Sequence, residues 1–368
     1  LVQTITQSRW YPSANRNDAG RMNIALWKKA LGESRLLFLV CALGLFFFAF
    51  VRIWLVSQVE MSRFAEIIGQ LWSDLEKFSL VPLSHLLSYP GRIAVFYNEP
   101  MVVLLISIWA IARGSDVVSG EISRGTMEMI LSQPVSRLQV MTTQAVIGIV
   151  GVGLLCFTAW LGTAVGIATF EAKEAPPIPT LTIPGFNWKI PLPPLFGGDD
   201  TRDPLDDTDE PKENRGERSG PEPIRTPLSE KLSPNVLAPA TMNLACLGFF
   251  LLAMTTMLSA FDRHRWRTIG IAVTIWVIMS VMKVVGMAVE DFAWLQNLSF
   301  FTPYSPEWAV YVGVRNPADV WVLDMLPGPG DRWYMSPLAN NLILLGLGSL
   351  CYGIAGTAFC NRDLPAPL

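Results

Sequence analysis

The chain contains little charge for its size. Charged residues make up 16 % of its 368 residues, whereas they make up about a quarter of an average soluble domain. Hydrophobic residues account for 51 %, and several apolar runs reach about 20 residues, the length that a helix needs to cross a bilayer. The composition therefore excludes an ordinary soluble domain and predicts a polytopic membrane protein.

The sequence also lacks the motifs of common catalytic sites. It contains no GxxxxGK[ST] phosphate-binding loop, no HExxH zinc motif and no GxSxG nucleophile motif. His85 and His264 are the only histidines, and they fall on opposite sides of the predicted bilayer, so they cannot share a metal site or one catalytic triad. We therefore expect no catalytic residue, no metal site and no cofactor in this chain.

Cysteine is scarce and does not occur in polar loops. The five cysteines lie within apolar runs or at the end of one: Cys41, Cys156, Cys246, Cys351 and Cys360. This distribution indicates no disulfide framework. Small apolar packing residues are the expected role.

Six apolar runs are predicted to span the membrane as helices, which gives an all-α fold. The predicted spans are residues 36–56, 100–118, 138–170, 240–260, 269–289 and 338–359. Basic residues near the span ends concentrate at residues 22–35, 113–137 and 263–267 and at Arg362. Because basic segments stay in the cytoplasm, this pattern places both termini there.

This topology divides the chain into four parts. Residues 1–35 form a cytoplasmic segment, of which residues 22–34 have the pattern of an amphipathic helix lying on the inner leaflet. Residues 36–170 contain spans one to three, with a polar segment at 114–137. Residues 171–239 form an extracytoplasmic insert. Residues 240–368 contain spans four to six and a short cytoplasmic tail.

The insert is rich in proline and acidic residues, as in the run DDTRDPLDDTDEPKENRGE that begins at Asp199. Such a composition cannot bury an apolar core, so the insert is predicted to be largely disordered, with a short strand or hairpin near residues 180–190. A calcium site is the alternative, but the EF-hand spacing is absent. The ligands of such a calcium site would be Asp199, Asp200, Asp203, Asp206 and Asp207. A solvated linker is the favoured interpretation.

Lys283 is a charged residue inside the predicted fifth span. A charge at this depth is costly and usually faces a cavity, which makes Lys283 a candidate functional residue. The favoured alternative is a lysine in the outer half of the span whose amine reaches the headgroups.

The polar segment at residues 114–137 lies between the second and third spans and has a helical pattern. Val118, Ile122 and Met129 are predicted to lie near one helix face, and Glu121 and Arg124 lie away from it. Two interpretations remain open on pattern alone. The segment is either an amphipathic loop helix in the headgroup region or a helix that transmits movement from a soluble partner.

The motifs SGE at 119–121, RGT at 124–126 and LSQPVSR at 131–137 resemble the cytoplasmic segment of ABC-2-type permeases, the membrane subunits of ATP-binding-cassette transporters. The closing NRDLP at 361–365 is also similar. The resemblance implies a coupling helix within residues 114–137 of a protein of the cytoplasmic (inner) membrane. It also implies a separate cytoplasmic ATPase that binds this helix and carries ATP and magnesium, and a second permease in a homodimer or heterodimer.

The resemblance further implies the residues that couple the permease to the ATPase. They are Gly120, Glu121, Arg124, Gly125, Thr126, Gln133, Pro134 and Arg137. Glu121 and Arg124 are expected to contact the ATPase or to brace the segment. Gly125 is expected to allow close helix approach, and Pro134 to separate the helix from the third span.

The sequence therefore favours the permease subunit of an ABC exporter with an unidentified substrate. One alternative is a membrane anchor or assembly factor that uses the same helix to recruit a soluble partner. The other is an ion-coupled secondary transporter, although no inverted repeats with broken helices are evident.

Overall fold

The protein is described by a computed structural model that covers residues 24–58, 80–132, 135–174, 180–182, 189–191, 224–329 and 332–362. The acidic run, the disorder predicted for it, and Gln133 and Pro134 lie outside these residues.

Among the described residues, six helices are long and apolar enough to cross a membrane, which confirms the all-α prediction of six spans. They are the first span (Ile24–Gln58), the second (Pro100–Ser123, including a π-helix), the third (Arg137–Thr169), the fourth (Ala238–Phe261), the fifth (Arg265–Ala288) and the sixth (Pro337–Asn361).

The ends of the spans follow from local residue choices. The Ser136 hydroxyl accepts a hydrogen bond from the Gln139 N–H at the start of the third span, and Ser336 does the same at the start of the sixth. Pro100 and Pro337 stand in the first turns of their helices, where a missing N–H is tolerated. The first span differs from its prediction, because it continues without a break from the amphipathic stretch that starts near residue 24.

The fourth span is the centre of the bundle. It packs along the second and sixth spans, while the first packs along the third. Its leucines at 244, 247 and 251 are fully buried. Close packing depends on glycine: a Cβ at Gly248 would lie 2.7 Å from the Cγ1 of Val152, and one at Gly114 would lie 2.7 Å from the Cβ of Thr255.

The ends of the spans opposite the 114–137 segment are covered by short helices. Helix Tyr89–Asn98 packs against helix Pro306–Arg315, and helix Leu83–Leu86 packs beside the first of these. The Tyr97 and Thr241 hydroxyls lie 2.8 Å apart. Further elements in this region are helix Trp294–Leu298, the 3₁₀ turns Glu290–Phe292 and Pro317–Trp321, and the antiparallel strands Met325–Pro327 and Trp333–Met335.

Both ends of the insert are ordered and lie against the bundle. Strand Glu171–Glu174 pairs antiparallel with strand Ile224–Pro227, and helix Leu228–Lys231 and the 3₁₀ turn Pro234–Leu237 follow. The predicted hairpin is confirmed, because Thr180–Thr182 pairs antiparallel with Lys189–Pro191. The described edges of the insert are therefore structural parts of the protein.

Candidate functional site

The segment between the second and third spans is not one continuous helix. The second span runs through Ser115 into a five-residue π-helix, Asp116–Gly120, and then a short turn, Glu121–Ser123. Gly125 follows in the left-handed conformation with φ of 71°, and a separate helix spans Thr126–Leu131.

The widened π-helical turn is bonded to the fourth span. The Ser259 hydroxyl oxygen accepts hydrogen bonds from the N–H groups of Val118 and Ser119, at 3.2 and 2.8 Å. On the fifth span, the Thr268 hydroxyl donates to the Ser119 hydroxyl at 3.0 Å. The C-terminal end of the second span is therefore held by hydroxyl groups from two other spans.

The two glycines of the motif have different roles, and the close approach predicted for Gly125 occurs at Gly120. A Cβ at Gly125 would meet no described atom within 4 Å, so close helix approach is the wrong explanation for this residue. Its left-handed φ is the reason for glycine, since other residues adopt that conformation at a cost of about 1–2 kcal/mol. Close approach occurs instead at Gly120, where a Cβ would lie 2.5 Å from the Oδ1 of Asp116.

The left-handed residue also changes which side chains face inward. Val118 is buried, but Met129 is 71 % exposed, and Met127 is the methionine that is buried. The prediction that Val118 and Met129 lie near one helix face was wrong because it assumed one unbroken helix, whereas the left-handed Gly125 changes the direction of the chain. Val118 and Met127 pack with Met141, Ala355 and Phe359 from the third and sixth spans.

Glu121 is buried in the protein, although its position away from the predicted apolar face suggested a side chain exposed to a partner. The carboxylate is 1 % exposed and accepts hydrogen bonds from the Lys29 amine at 2.9 and 2.7 Å. The Arg124 guanidinium lies 3.2 Å away, and the Thr126 hydroxyl donates to the same carboxylate. Glu121 therefore joins the first span to the segment and cannot contact a docked partner directly.

Asp116 forms a second ionic centre beside Glu121. Its carboxylate lies 2.9 Å from Arg124, 3.3 Å from Arg265 and 3.8 Å from Arg113. Glu33 of the first span lies 3.9 Å from Arg124. Together these residues form the charge cluster: Lys29, Glu33, Arg113, Asp116, Glu121, Arg124 and Arg265.

Several members of the charge cluster were not predicted as site residues. Lys29 and Arg265 are distant in sequence from the motif, and only the fold brings them to it. Asp116 lies within the recognised segment but carries no pattern that distinguishes it from a solvated aspartate. Lys29 could have been noticed in the sequence, because it lies on the basic face of the predicted amphipathic helix at residues 22–34.

Arg137, the last predicted coupling residue, binds the end of the sixth span. Its guanidinium donates to the carbonyl oxygens of Phe359 at 3.2 Å and Cys360 at 3.3 Å. Arg362 in turn donates to the carbonyls of Ala260 and Asp262, at 2.8 and 2.9 Å, at the end of the fourth span. Arginines at these positions satisfy carbonyls that a helix end leaves without partners.

The surface of the segment that remains open to solvent is small and mostly polar. We call its part between residues 123 and 132 the docking face, and the exposed residues there are Ser123, Arg124, Gly125, Glu128, Met129 and Ser132. It lies directly over the charge cluster, and Arg124 belongs to both.

Lys283 lies far from this segment. Its amine donates to the carbonyl oxygens of Phe301 and Tyr304, both at 2.9 Å. These bonds fix the loop that precedes helix Pro306–Arg315. The fold therefore gives Lys283 a structural use, and a functional role for its charge stays a prediction.

The match to known proteins agrees with the motif of this segment. The model of the ABC-2 family transporter protein matches residues 24–177, which contain the first three spans and the whole segment from 114 to 137. The resemblance to an ABC-2-type permease is confirmed over this part of the chain. No curated protein matches the chain.

Proposed function

We propose, from the premise that residues 24–177 match the ABC-2 family of transporter proteins, that this chain is the permease subunit of an ABC exporter. A separate cytoplasmic ATPase binds the docking face and carries the ATP and magnesium. Two permeases pair in the membrane, and ATP hydrolysis rearranges their spans to move the substrate. Both termini and the docking face lie in the cytoplasm, in keeping with the distribution of basic residues.

The observation that carries this proposal is that the 114–137 segment, which bears the docking face, is attached to several spans at once. Lys29 and Glu33 bond it to the first span, and Arg265 bonds it to the fifth. The Ser259 hydroxyl bonds it to the fourth. A force on the docking face therefore reaches three helices besides the one that carries it.

The packing of the segment favours this role over an amphipathic helix in the headgroups. A helix that lies on lipid turns its apolar side chains outward to the acyl chains. Here Val118 and Met127 turn inward against other spans, and the exposed side chains are polar except for Met129. A polar surface over a buried ionic cluster suits a protein partner.

The test is a charge reversal on the docking face, Glu128→Lys. Glu128 is exposed, so the spans should insert and pack normally. We expect the variant to lose co-purification with the partner ATPase, together with permease-dependent ATP turnover. The matched control is Glu290→Lys, an exposed residue at the opposite end of the bundle, which should behave as the unchanged protein.

Two results would count against the exporter. Normal assembly and turnover in a variant with the whole docking face neutralised would mean that no ATPase acts there. Assembly that depends on the docking face, without any substrate movement in reconstituted vesicles, would favour the membrane anchor instead.

A further inference from the structure

The turn between the fourth and fifth spans forms a cleft with one basic and one apolar side. The cleft has a volume of about 380 Å³. It is lined by Leu258, Phe261, Asp262, Arg263, His264, Arg267, Ile271 and Arg362. It is separate from the charge cluster and has no part in the proposed coupling.

The basic side carries more positive charge than its carboxylate can neutralise. Three arginines face one aspartate, which leaves a formal excess of two positive charges. The Asp262 carboxylate already accepts from the N–H groups of Arg263 and His264, at 2.7 and 3.1 Å, and lies 3.5 Å from Arg267. Burial lowers the pKa of Arg362, and the neighbouring charge of Arg263 lowers it further. An anion in the cleft would relieve this repulsion.

The apolar side continues onto the surface that faces lipid. Phe261 is 63 % exposed and Ile271 is 41 % exposed, although both belong to spans. Few residues of the fifth span are buried, and within the described structure they are Thr268, Ala272 and Gly286. Trp266 is 73 % exposed at the same level, which is where tryptophan anchors a helix to the membrane interface.

We propose that this cleft binds an anionic phospholipid, with the phosphate between Arg263, Arg267 and Arg362 and an acyl chain along Phe261 and Ile271. Charge complementarity selects an anionic headgroup, and the exposed apolar wall selects a molecule with acyl chains rather than a free anion. Guanidinium groups suit phosphate because their donors match two oxygens at once. The expected cytoplasmic side of this turn is also the side on which anionic lipids concentrate.

The test measures lipid binding by the purified full chain in detergent, using native mass spectrometry. Dioleoyl phosphatidylglycerol is the anionic probe, and dioleoyl phosphatidylcholine and inorganic phosphate are the comparisons. Removing two basic side chains should weaken phosphatidylglycerol binding by about 30-fold in Arg263→Gln/Arg267→Gln, at roughly fivefold for each arginine. Both side chains are exposed, so the variant should elute as a single species.

The control is Arg315→Gln/Arg332→Gln, which removes two exposed arginines at the other end of the bundle and should leave binding unchanged. The single variant Arg263→Gln provides a milder test of the same cleft, with the fivefold loss expected. Equal affinity for phosphatidylcholine, or unchanged affinity in the double variant, would overturn the proposal. Displacement of the lipid by equimolar phosphate would assign the cleft to a free anion. Unchanged lipid binding with loss of ATPase co-purification would assign it to a protein.

Discussion

Removing the charge of Glu121 should uncouple the permease from its ATPase without undocking it. Glu121→Gln keeps the size of the side chain but takes away the carboxylate that Lys29, Arg124 and Thr126 share. The replaced side chain lies beneath the docking face, and Arg124 at the surface keeps its ion pair with Asp116. The perturbation therefore separates the bracing of the segment from its contact with a partner.

The expected loss of stability in Glu121→Gln depends on how deeply Glu121 and its basic partners are buried. Removing one partner of a fully buried pair costs about 3–5 kcal/mol, because the other charge is stranded. Here the Lys29 side chain is 33 % exposed and that of Arg124 is 36 % exposed, so both can turn to water. We therefore expect the free energy of unfolding to fall by about 1–3 kcal/mol, as for hydrogen bonds to charged groups.

The assay is a double-mutant cycle between Glu121→Gln and Lys29→Met, measured as free energies of unfolding in mixed micelles. A direct bond between the two side chains predicts a coupling energy of about 1–2 kcal/mol. If the two sites were independent, the free-energy change of the double variant would equal the sum of the two single changes to within about 0.5 kcal/mol. Glu33→Gln is the control, since its ion pairs are 3.7 Å or longer and partly exposed, and it should cost less than about 1 kcal/mol.

The functional readout uses the same variant in complex with the ATPase. Co-purification should persist while permease-dependent ATP turnover falls. An additive cycle, or loss of co-purification with a normal free energy of unfolding, would refute the view that Glu121 braces the segment from within.

Four further predictions concern other parts of the chain. Gly125→Ala should cost about 1–2 kcal/mol through its left-handed φ, measured by thermal unfolding, while Gly153→Ala, with no described atom within 4 Å of its Cβ, should be neutral. Burial lowers the pKa of His85 from 6.5 to about 4, so the folded protein binds a proton at His85 less readily than the unfolded chain does. Lowering the pH from 6.5 to about 4 should therefore reduce the free energy of unfolding, and the reduction should be smaller in His85→Gln. An impermeant thiol reagent should label Ser219→Cys in intact cells and spare Ser123→Cys, with the reverse pattern contradicting the topology. Deleting residues 199–222 should preserve membrane insertion, judged by fractionation, because it spares strand Ile224–Pro227.

The spans could be predicted because each depends on features that are local in sequence. Apolar runs of sufficient length, Pro100 and Pro337 in first turns, and serine caps at residues 136 and 336 are all visible without a structure. The start of the first span was less predictable. The helix continues through Gly32, and no proline stands at the junction, so the amphipathic stretch and the span form one helix.

The candidate site could be located from sequence, but its interior could not. The motif identified the segment, yet the burial of Glu121 depends on Lys29, which lies 92 residues away. The exposure of Met129 depends on the single left-handed residue Gly125, and a helical periodicity count assumes that no such residue occurs. Local patterns therefore identified the surface, while contacts distant in sequence determined which of its residues face solvent.

The two arginines that bind helix ends impose an order on biosynthesis. Arg137 is translated early, but the carbonyl of Phe359 that it binds is made 222 residues later. Arg362 follows the end of the fourth span by about a hundred residues and binds the carbonyl of Ala260 there. Until the ribosome has released residue 362, the third, fourth and sixth spans can be inserted in the bilayer but not fastened to one another at this end. Quality-control proteases that sample growing membrane proteins would meet an open bundle until then.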